Sequence, residues 1–425
     1  MQIDLRALFL KMAGGRAHFF SYCSGPPSLQ SLPLKTSSIY DFFGKIHWTV
    51  ISSENIPPVQ DALLHICLIC VEIFAWGKHG GFGRATRVIG RELVRRGIQV
   101  SAVIPRREDQ AAVEMLDGIR VLGFNRASLA DMVRVMRACG ADIYHSQEPS
   151  FGTHLAQQLH PEKKHVVTFR DTRMFADWWT EFRLPSLHYV QVLSNWLYED
   201  NLFVHRAVRR ADRRFIASRL LGARAVEKYR LTSLPEFLPT PVAQPVSIQK
   251  DPHPTACYIA RWDRRKRPEL FVRLAEAFPQ VHFIMAGDSR DQKFDRSIQD
   301  QAVKLPNVEM AGFINQFEDS RFSEILSRSW VMVNTAAREG LPNAFIEACA
   351  HRCAILSSVN PDDFSSRFGY HAAQDDFGKG LEYLLADHRW QEKADLGNRY
   401  FLENFELEKA VQKHVDVYRG LLSGA

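Results

Sequence analysis

Twice along this chain, short apolar runs alternate with amphipathic stretches, and a proline-rich segment separates the two series. The first series opens at Leu64 with HICLICVEIF, a buried strand by its length and composition. The helical TRVIGRELVRRG, the strands IQVSAVIP and GIRVLGF, a helix over Leu129 to Cys139, and the strands ADIYHSQ and KHVVTFRDTR follow. Asp200 to Tyr229 is arginine-rich and helical, with RFIAS as a short strand inside it. LPEFLPTPVAQPVSIQKDPHP then predicts a linker, because its prolines break helices and remove backbone donors. The second series runs from TACYIARW through helix PELFVRLAEAF, strand VHFIMAGD, a helix, strand NVEMAGFI, helix RFSEILSRS, strand WVMVNTAA, a helix starting at Pro342-Asn343, and strand CAILSS. Alternation at this spacing predicts parallel sheets with helices on both faces. The chain is therefore expected to be α/β, with two doubly wound, Rossmann-like domains facing an interdomain cleft.

The expected boundaries are a weakly ordered extension over 1–62, a first domain over 63–240, a linker over 241–253 and a second domain over 254–404. A C-terminal amphipathic helix over 405–425, with Phe405, Val411, Val415 and Tyr418 on related faces, is expected to cross back to the first domain. The extension mixes Gly, Ser, Pro and scattered aromatics without periodicity, and no function is assigned to it. At 425 residues, 46% hydrophobic and 24% charged, the rest has ample material for two cores.

Charge and cysteine content exclude several classes. A net charge of +6 favours anionic substrates or an anionic membrane surface. It is too dispersed for nucleic acid, and the basic residues are not interleaved with aromatics on one face. Seven cysteines, an odd number, fit a reducing compartment and not a disulfide framework. Cys67 and Cys70 lie three apart in a strand pattern, which points them to opposite faces and away from a shared metal. Cys349 and Cys353 read as core. No apolar run is long enough to span a bilayer, and the start lacks a secretory pattern, so a cytoplasmic, membrane-peripheral location is expected.

The chemistry gathers at strand ends. In EGLPNAFIE, Glu339 sits in a loop after a buried strand and Glu347 lies in the helix that follows. That helix start offers free N–H groups and a positive dipole end to a diphosphate. Glu347 lies roughly 12 Å further at about 1.5 Å per residue, a distance suited to the ribose of the same nucleotide sugar. Its apolar setting, AFIEACAHRCAIL, demands a partner for the carboxylate. Arg261 and Lys266 in IARWDRRKRPELF follow a strand and could neutralise a diphosphate, although Arg264, Arg265 and Arg267 make a solvated basic patch an equal reading. Gly80, Gly81 and Gly83 form a loop that could admit a phosphate or could be a tight turn. His145, Gln147, Glu148, Arg170 and Asp171 end strands on the cleft side. HRAVRRADRRF reads as a solvated helix face or a surface for anionic lipid.

Together these residues resemble the retaining glycosyltransferases of the GT-B fold grouped as family 4, over about Leu64 to Leu422 and most strongly over Tyr258 to Ser358. The "GR…K" segment corresponds to Ala260-Arg261 and Lys266, "AGxG" to Ala286-Gly287-Asp288-Ser289, and "EGxPxxxxE" is met in full by Glu339 to Glu347. The resemblance implies that Arg261 and Lys266 hold the donor diphosphate, Glu339 the sugar hydroxyls and Glu347 the ribose. Gly340, Leu341, Pro342 and Asn343 would line the pocket, Gly81 and Gly80 would approach from the first domain, and Gly287, Gly312 and Phe313 would sit near the nucleotide. It implies a hexosyl transfer from a nucleotide-sugar donor to a glycan or lipid-linked acceptor, with retention, no metal and no other cofactor. Surface polysaccharide or glycolipid biosynthesis would be the setting. The chain departs from the pattern at Ala260, at Ser289, and at Arg170-Asp171 where many members carry His-Asp. The acceptor-side group is thus open between Asp171 and His145. A non-catalytic sugar-nucleotide or glycan-binding relative, and an epimerase or phosphorylase on the same fold, are the rival readings.

Overall fold

A computed structural model describes residues 64–77, 80–107, 109–184 and 189–423, all within one compact unit over 55–425. The predicted extension over 1–62 lies outside the described residues.

The first half is built on β1 (His65–Ile69), α1 (Gly81–Arg95), β2 (Gln99–Pro105), β3 (Val113–Leu116), β4 (Ile119–Phe124), α2 (Leu129–Cys139), β5 (Ile143–Ser146), α3 (Phe151–Leu159) and β6 (Lys164–Phe169). It continues with α4 (Phe175–Arg183), α5 (Tyr189–Glu199), α6 (Leu202–Arg210), β7 (Arg213–Ile216), α7 (Leu220–Tyr229) and β8 (Glu236–Phe237). The strands order as β3-β4-β2-β1-β5-β6-β7-β8. All pairs are parallel except β3 with β4.

The second half comprises β9 (Thr255–Ile259), α8 (Pro268–Ala277), β10 (His282–Ala286), α9 (Gln292–Ala302), β11 (Val308–Gly312), α10 (Arg321–Arg328), β12 (Val331–Asn334) and α11 (Asn343–Ala350). After these come β13 (Ala354–Ser357), α12 (Phe364–Phe368), β14 (Gly369–His371), α13 (Phe377–Leu385), α14 (Arg389–Asn404) and α15 (Leu407–Ser423). Its strands order as β11-β10-β9-β12-β13-β14, all parallel. Relative to chain order this is 3-2-1-4-5-6, the doubly wound arrangement whose switch point lies between the first and fourth strands.

Alternation along each central strand feeds two cores. Ile66 and Leu68 of β1 join one cluster while Cys67 and Ile69 join another. In β9, Ala256 and Tyr258 face one side and Cys257 the other. Both sheets are therefore covered on both faces, which explains why their strands read as continuous apolar runs. The strands stop earlier than their apolar runs: β1 ends at Ile69 and β12 at Asn334. Beyond those points the backbone leaves the ladder and turns into the loops between the two sheets.

The helix α15 does not stay with the second sheet. Val411, Val415 and Tyr418 pack into the cluster that holds Ile66, Leu68 and Val100 of the first sheet. The crossing point is shared by two stretches of chain: the Val242 N–H donates to the Phe405 carbonyl at 3.0 Å, and Val242 bridges Glu406.

Candidate active site

A cavity of about 860 Å³ lies between the two sheets, lined by the loops that follow β1, β2, β4, β6, β9, β10 and β12. Open parallel sheets leave their carboxyl ends free for ligands in this way. On the second-sheet side, the loop after β9 turns around Asp263. Its carboxylate accepts the N–H groups of Arg265 at 3.0 Å and Lys266 at 3.2 Å, and pairs with Arg261 at 2.8 Å. Thr335, just past β12, donates its hydroxyl to the Lys266 carbonyl at 2.6 Å. Braced in this manner, Lys266 forms an ion pair with Glu339. Burial, with the nearby Arg265 and Arg261 charges, pushes the lysine ammonium down to about 8 against the pull of Asp263.

Two glycines make room. Gly287 has φ +134°, and a Cβ there would lie 1.9 Å from the Ala260 carbonyl oxygen. A Cβ on Gly340 would lie 2.8 Å from the Arg170 carbonyl oxygen, across the cleft. Gly340, Leu341, Pro342 and Asn343 line the cavity, as do Gly80, Gly81, Gly287 and Phe313. Gly312 does not; its carbonyl accepts the Gly287 N–H at 2.8 Å and holds that loop. At the start of α1, the Glu72 carboxylate accepts the Gly83 N–H at 3.2 Å, so an acid of the chain itself already occupies part of the glycine loop.

Glu347 is buried, and its partner comes from the other half. Arg84 of α1 donates to it at 2.6 Å and to Gln316 at 2.7 Å. Burial pushes the Glu347 carboxyl up to about 7, with Arg84 pulling it back. The carboxylate stands behind the cavity wall, reached through Arg84, which lines it.

Asp171 does line the cleft but is fully committed. Arg338 pairs with it at 2.5 Å and Arg173 at 3.0 Å. Burial raises its carboxyl, yet those two guanidiniums win and hold it well below the usual carboxylate range. Its backbone N–H, with that of Arg170, donates to Glu148, whose own carboxyl burial pushes up to about 8. His145 is not brought into the cleft. It is fully buried, with one ring nitrogen 2.7 Å from the Tyr418 hydroxyl and the other 2.7 Å from Thr168 Oγ1. Burial holds the imidazole well below its usual pKa, so it is neutral.

Sequence reasoning missed most of the cross-cleft partners. Arg265 pairs with Glu181, Arg338 also pairs with Asp177 at 2.6 Å, and the Asn343 amide donates to the Gly81 carbonyl at 2.8 Å. Asp362 accepts the Ser218 hydroxyl and the Arg219 and Leu220 N–H groups, which caps α7 from the opposite half. Single Arg and Asp residues in charged stretches carry no signal that separates these pairs from solvated charges. Among the described residues, no group of three or more His, Cys, Asp or Glu side chains gathers to hold a metal.

This architecture is that of known glycosyltransferases. The chain is similar over 85% of its length to the whole of a sucrose-phosphate synthase from Thermosynechococcus elongatus, at 17% identity and TM-score 0.66. It is similar over 85% of its length to the whole of HepE of Anabaena in complex with UDP-glucose, at 13% identity and TM-score 0.61. WaaG, a glycosyltransferase involved in lipopolysaccharide biosynthesis, matches 84% of the chain over its full length at 13% identity and TM-score 0.58. A comparison with curated protein sequences finds no match. The fold is therefore GT-B. Residues 243–366 match the model of the family Glycosyl transferases group 1, and the chain is a glycosyltransferase.

Proposed function

We propose that the chain moves a hexosyl unit from a nucleoside-diphosphate sugar to a hydroxyl of a glycan or lipid-linked acceptor, with retention at the anomeric carbon. The observation that carries this reading is the meeting of Arg261, Lys266 and Glu339 in one cavity beside the start of α11. The two cations and the helix N-terminus face the same space, and a diphosphate would displace Glu339 from Lys266 and free that carboxylate for sugar hydroxyls. The donor charge is carried by these protein cations, without a metal. Retention is the stereochemistry implied by the resemblance of the Glu339 to Glu347 segment to the retaining family-4 enzymes. Asp171 and His145 are both committed elsewhere, so the acceptor proton passes to an oxygen of the departing diphosphate as its bond to the anomeric carbon breaks and the acceptor oxygen bonds there.

The test is a thermal-shift screen against UDP, GDP, ADP and CMP, with and without EDTA. A nucleotide at 100 times its Kd adds about 2.7 kcal/mol of stability. A shift with one diphosphate, unchanged by EDTA and lost in Lys266→Ala, is expected. No shift with any of them would favour a non-catalytic relative. Retention is read from the anomeric configuration of the product by NMR.

Surface polysaccharide or glycolipid synthesis at the cytoplasmic membrane face is the setting we infer. Tyr189, Val190, Leu193 and Leu197 of α5 and Leu202 and Phe203 of α6 are exposed, beside exposed Arg206, Arg209 and Arg210. Apolar side chains next to arginines suit an anionic bilayer surface. Among the described residues no helix is long and apolar enough to cross a membrane. Flotation with phosphatidylglycerol vesicles but not phosphatidylcholine vesicles is expected; equal behaviour with both would count against it.

A further inference from the structure

The cations of the cleft divide into two sets. Deep inside, Arg170 is held by the Gln147 and Thr240 side chains, and the other cations are neutralised by carboxylates: Arg84 by Glu347, Arg173 by Asp171 and Glu199, Arg261 by Asp263, Arg265 by Glu181, Lys266 by Glu339, and Arg338 by Asp171 and Asp177. Those on the first-sheet rim are not. Arg106 and Arg107 follow β2, Arg126 follows β4, and Arg290 reaches in from the second half; all four line the cavity. Among the described residues none of them has a salt bridge. Arg126 is held by uncharged groups, donating to the Asn195 amide oxygen at 2.8 Å and lying 5.3 Å over the Tyr198 ring. Arg290 donates to the Gly77 carbonyl.

These guanidiniums also feel one another. Burial lowers the Arg107 pKa, Glu72 opposes that, and the Arg290 and Arg126 charges lower it further. Like charges gathered at one rim cost free energy unless a counter-charge arrives. Arg126 and Arg290 are fixed to neutral partners that leave their charge unspent, among the described residues Arg107 feels the Glu72 charge without a salt bridge to it, and Gln191 and Asn195 on α5 add neutral hydrogen-bonding groups to the same wall. The donor's diphosphate has Arg261 and Lys266 on the other wall, so the rim charge is left for the second substrate.

We propose that the acceptor carries an anionic group, a phosphate or a sugar carboxylate, which Arg107, Arg126 and Arg290 receive at the rim of the cleft. This rests on the transferase reading above and narrows its acceptor to acidic glycans. Arginine suits both anions because its planar fork matches either oxygen pair.

The experiment places the full chain on glycan arrays ending in glucose, glucose 6-phosphate and glucuronate, beside the nucleotide thermal shifts. Wild type is expected to favour an acidic end over glucose by at least tenfold, and the identity of that end separates phosphate from carboxylate. The Arg107→Gln/Arg126→Gln variant is expected to lose that preference while keeping its nucleotide shift. Equal retention of glucose and the acidic ends, no retention of an acidic end, or an acidic preference that survives in the variant would each overturn the proposal. If the nucleotide shift is present but the acidic preference absent, only the acceptor inference fails. If no nucleotide shifts the protein, the transferase reading falls with it.

Discussion

Lys266 is where burial and charge are most closely balanced. Its ammonium is charged below about pH 8 in the free protein and neutral above. An anionic nucleotide binds the charged form, so affinity should weaken as pH rises through 8. Titration calorimetry of the responding nucleotide between pH 6.5 and 9.5 should show this slope, and Lys266→Met should flatten it. The same substitution should cost about 2.7–4 kcal/mol in transition-state stabilisation, the magnitude typical of a lost charge-stabilising donor. Glu347 makes the second residue-level prediction. Arg84→Met leaves a buried carboxylate without its cation, which typically costs about 3–5 kcal/mol. The urea midpoint should fall, and Arg84→Met/Glu347→Leu should recover much of it. The residues whose placement was legible in the sequence were those set by the local chain: Glu339 in the loop after a strand, Gly340 and Pro342 before a helix. Arg84, Arg338 and Glu181 were not, because each finds its meaning in a partner on the other half of the chain.

At the level of elements, α15 is fastened to the first half by apolar packing and by two buried polar links, Tyr418 to His145 to Thr168 and His414 to the Pro239 carbonyl. Tyr418→Phe should strand a ring nitrogen and cost about 1–3 kcal/mol of stability. His145→Ala should likewise lower the melting temperature. Neither should change turnover per folded molecule, and a tenfold fall in kcat for His145→Ala at full folding would place the imidazole in the chemistry after all. The strands were legible because central parallel strands are apolar on both faces. The helices α4 and α5 were not read. In α5 only Val192 and Trp196 are buried, while Tyr189, Val190, Leu193 and Leu197 point outward, so no inward apolar stripe marks the helix. The edge strand β3 was missed for a similar reason, with Met115 exposed at 65%.

Across the whole molecule, Arg84 to Glu347, Arg338 to Asp171 and Asp177, and Arg265 to Glu181 hold the two halves together over the cavity. Entry of a donor must break some of these contacts, so domain opening is expected to limit binding. These pairs are mostly buried, with side chains 8–18% exposed, and salt screens them far less than surface pairs. Raising sodium chloride from 50 to 500 mM should therefore leave the radius of gyration in small-angle scattering nearly unchanged, whereas Arg338→Gln, which removes two pairs at once, should increase it; an unchanged radius in that variant would mean that packing, and not charge, closes the cleft.

The crossing point has a separate consequence. Chain leaves the first half at Val242 and returns at Phe405, and these two residues are joined by one backbone hydrogen bond. Topologically, the second half is an insert whose two ends lie side by side. Segments with adjacent ends are the ones that tolerate exchange between proteins. Residues 243–405 form a cassette: a matching segment from another GT-B enzyme could be spliced in at those two positions with no added linker, leaving α15 seated on its own sheet. Such chimeras would test which half sets the choice of donor and which the choice of acceptor.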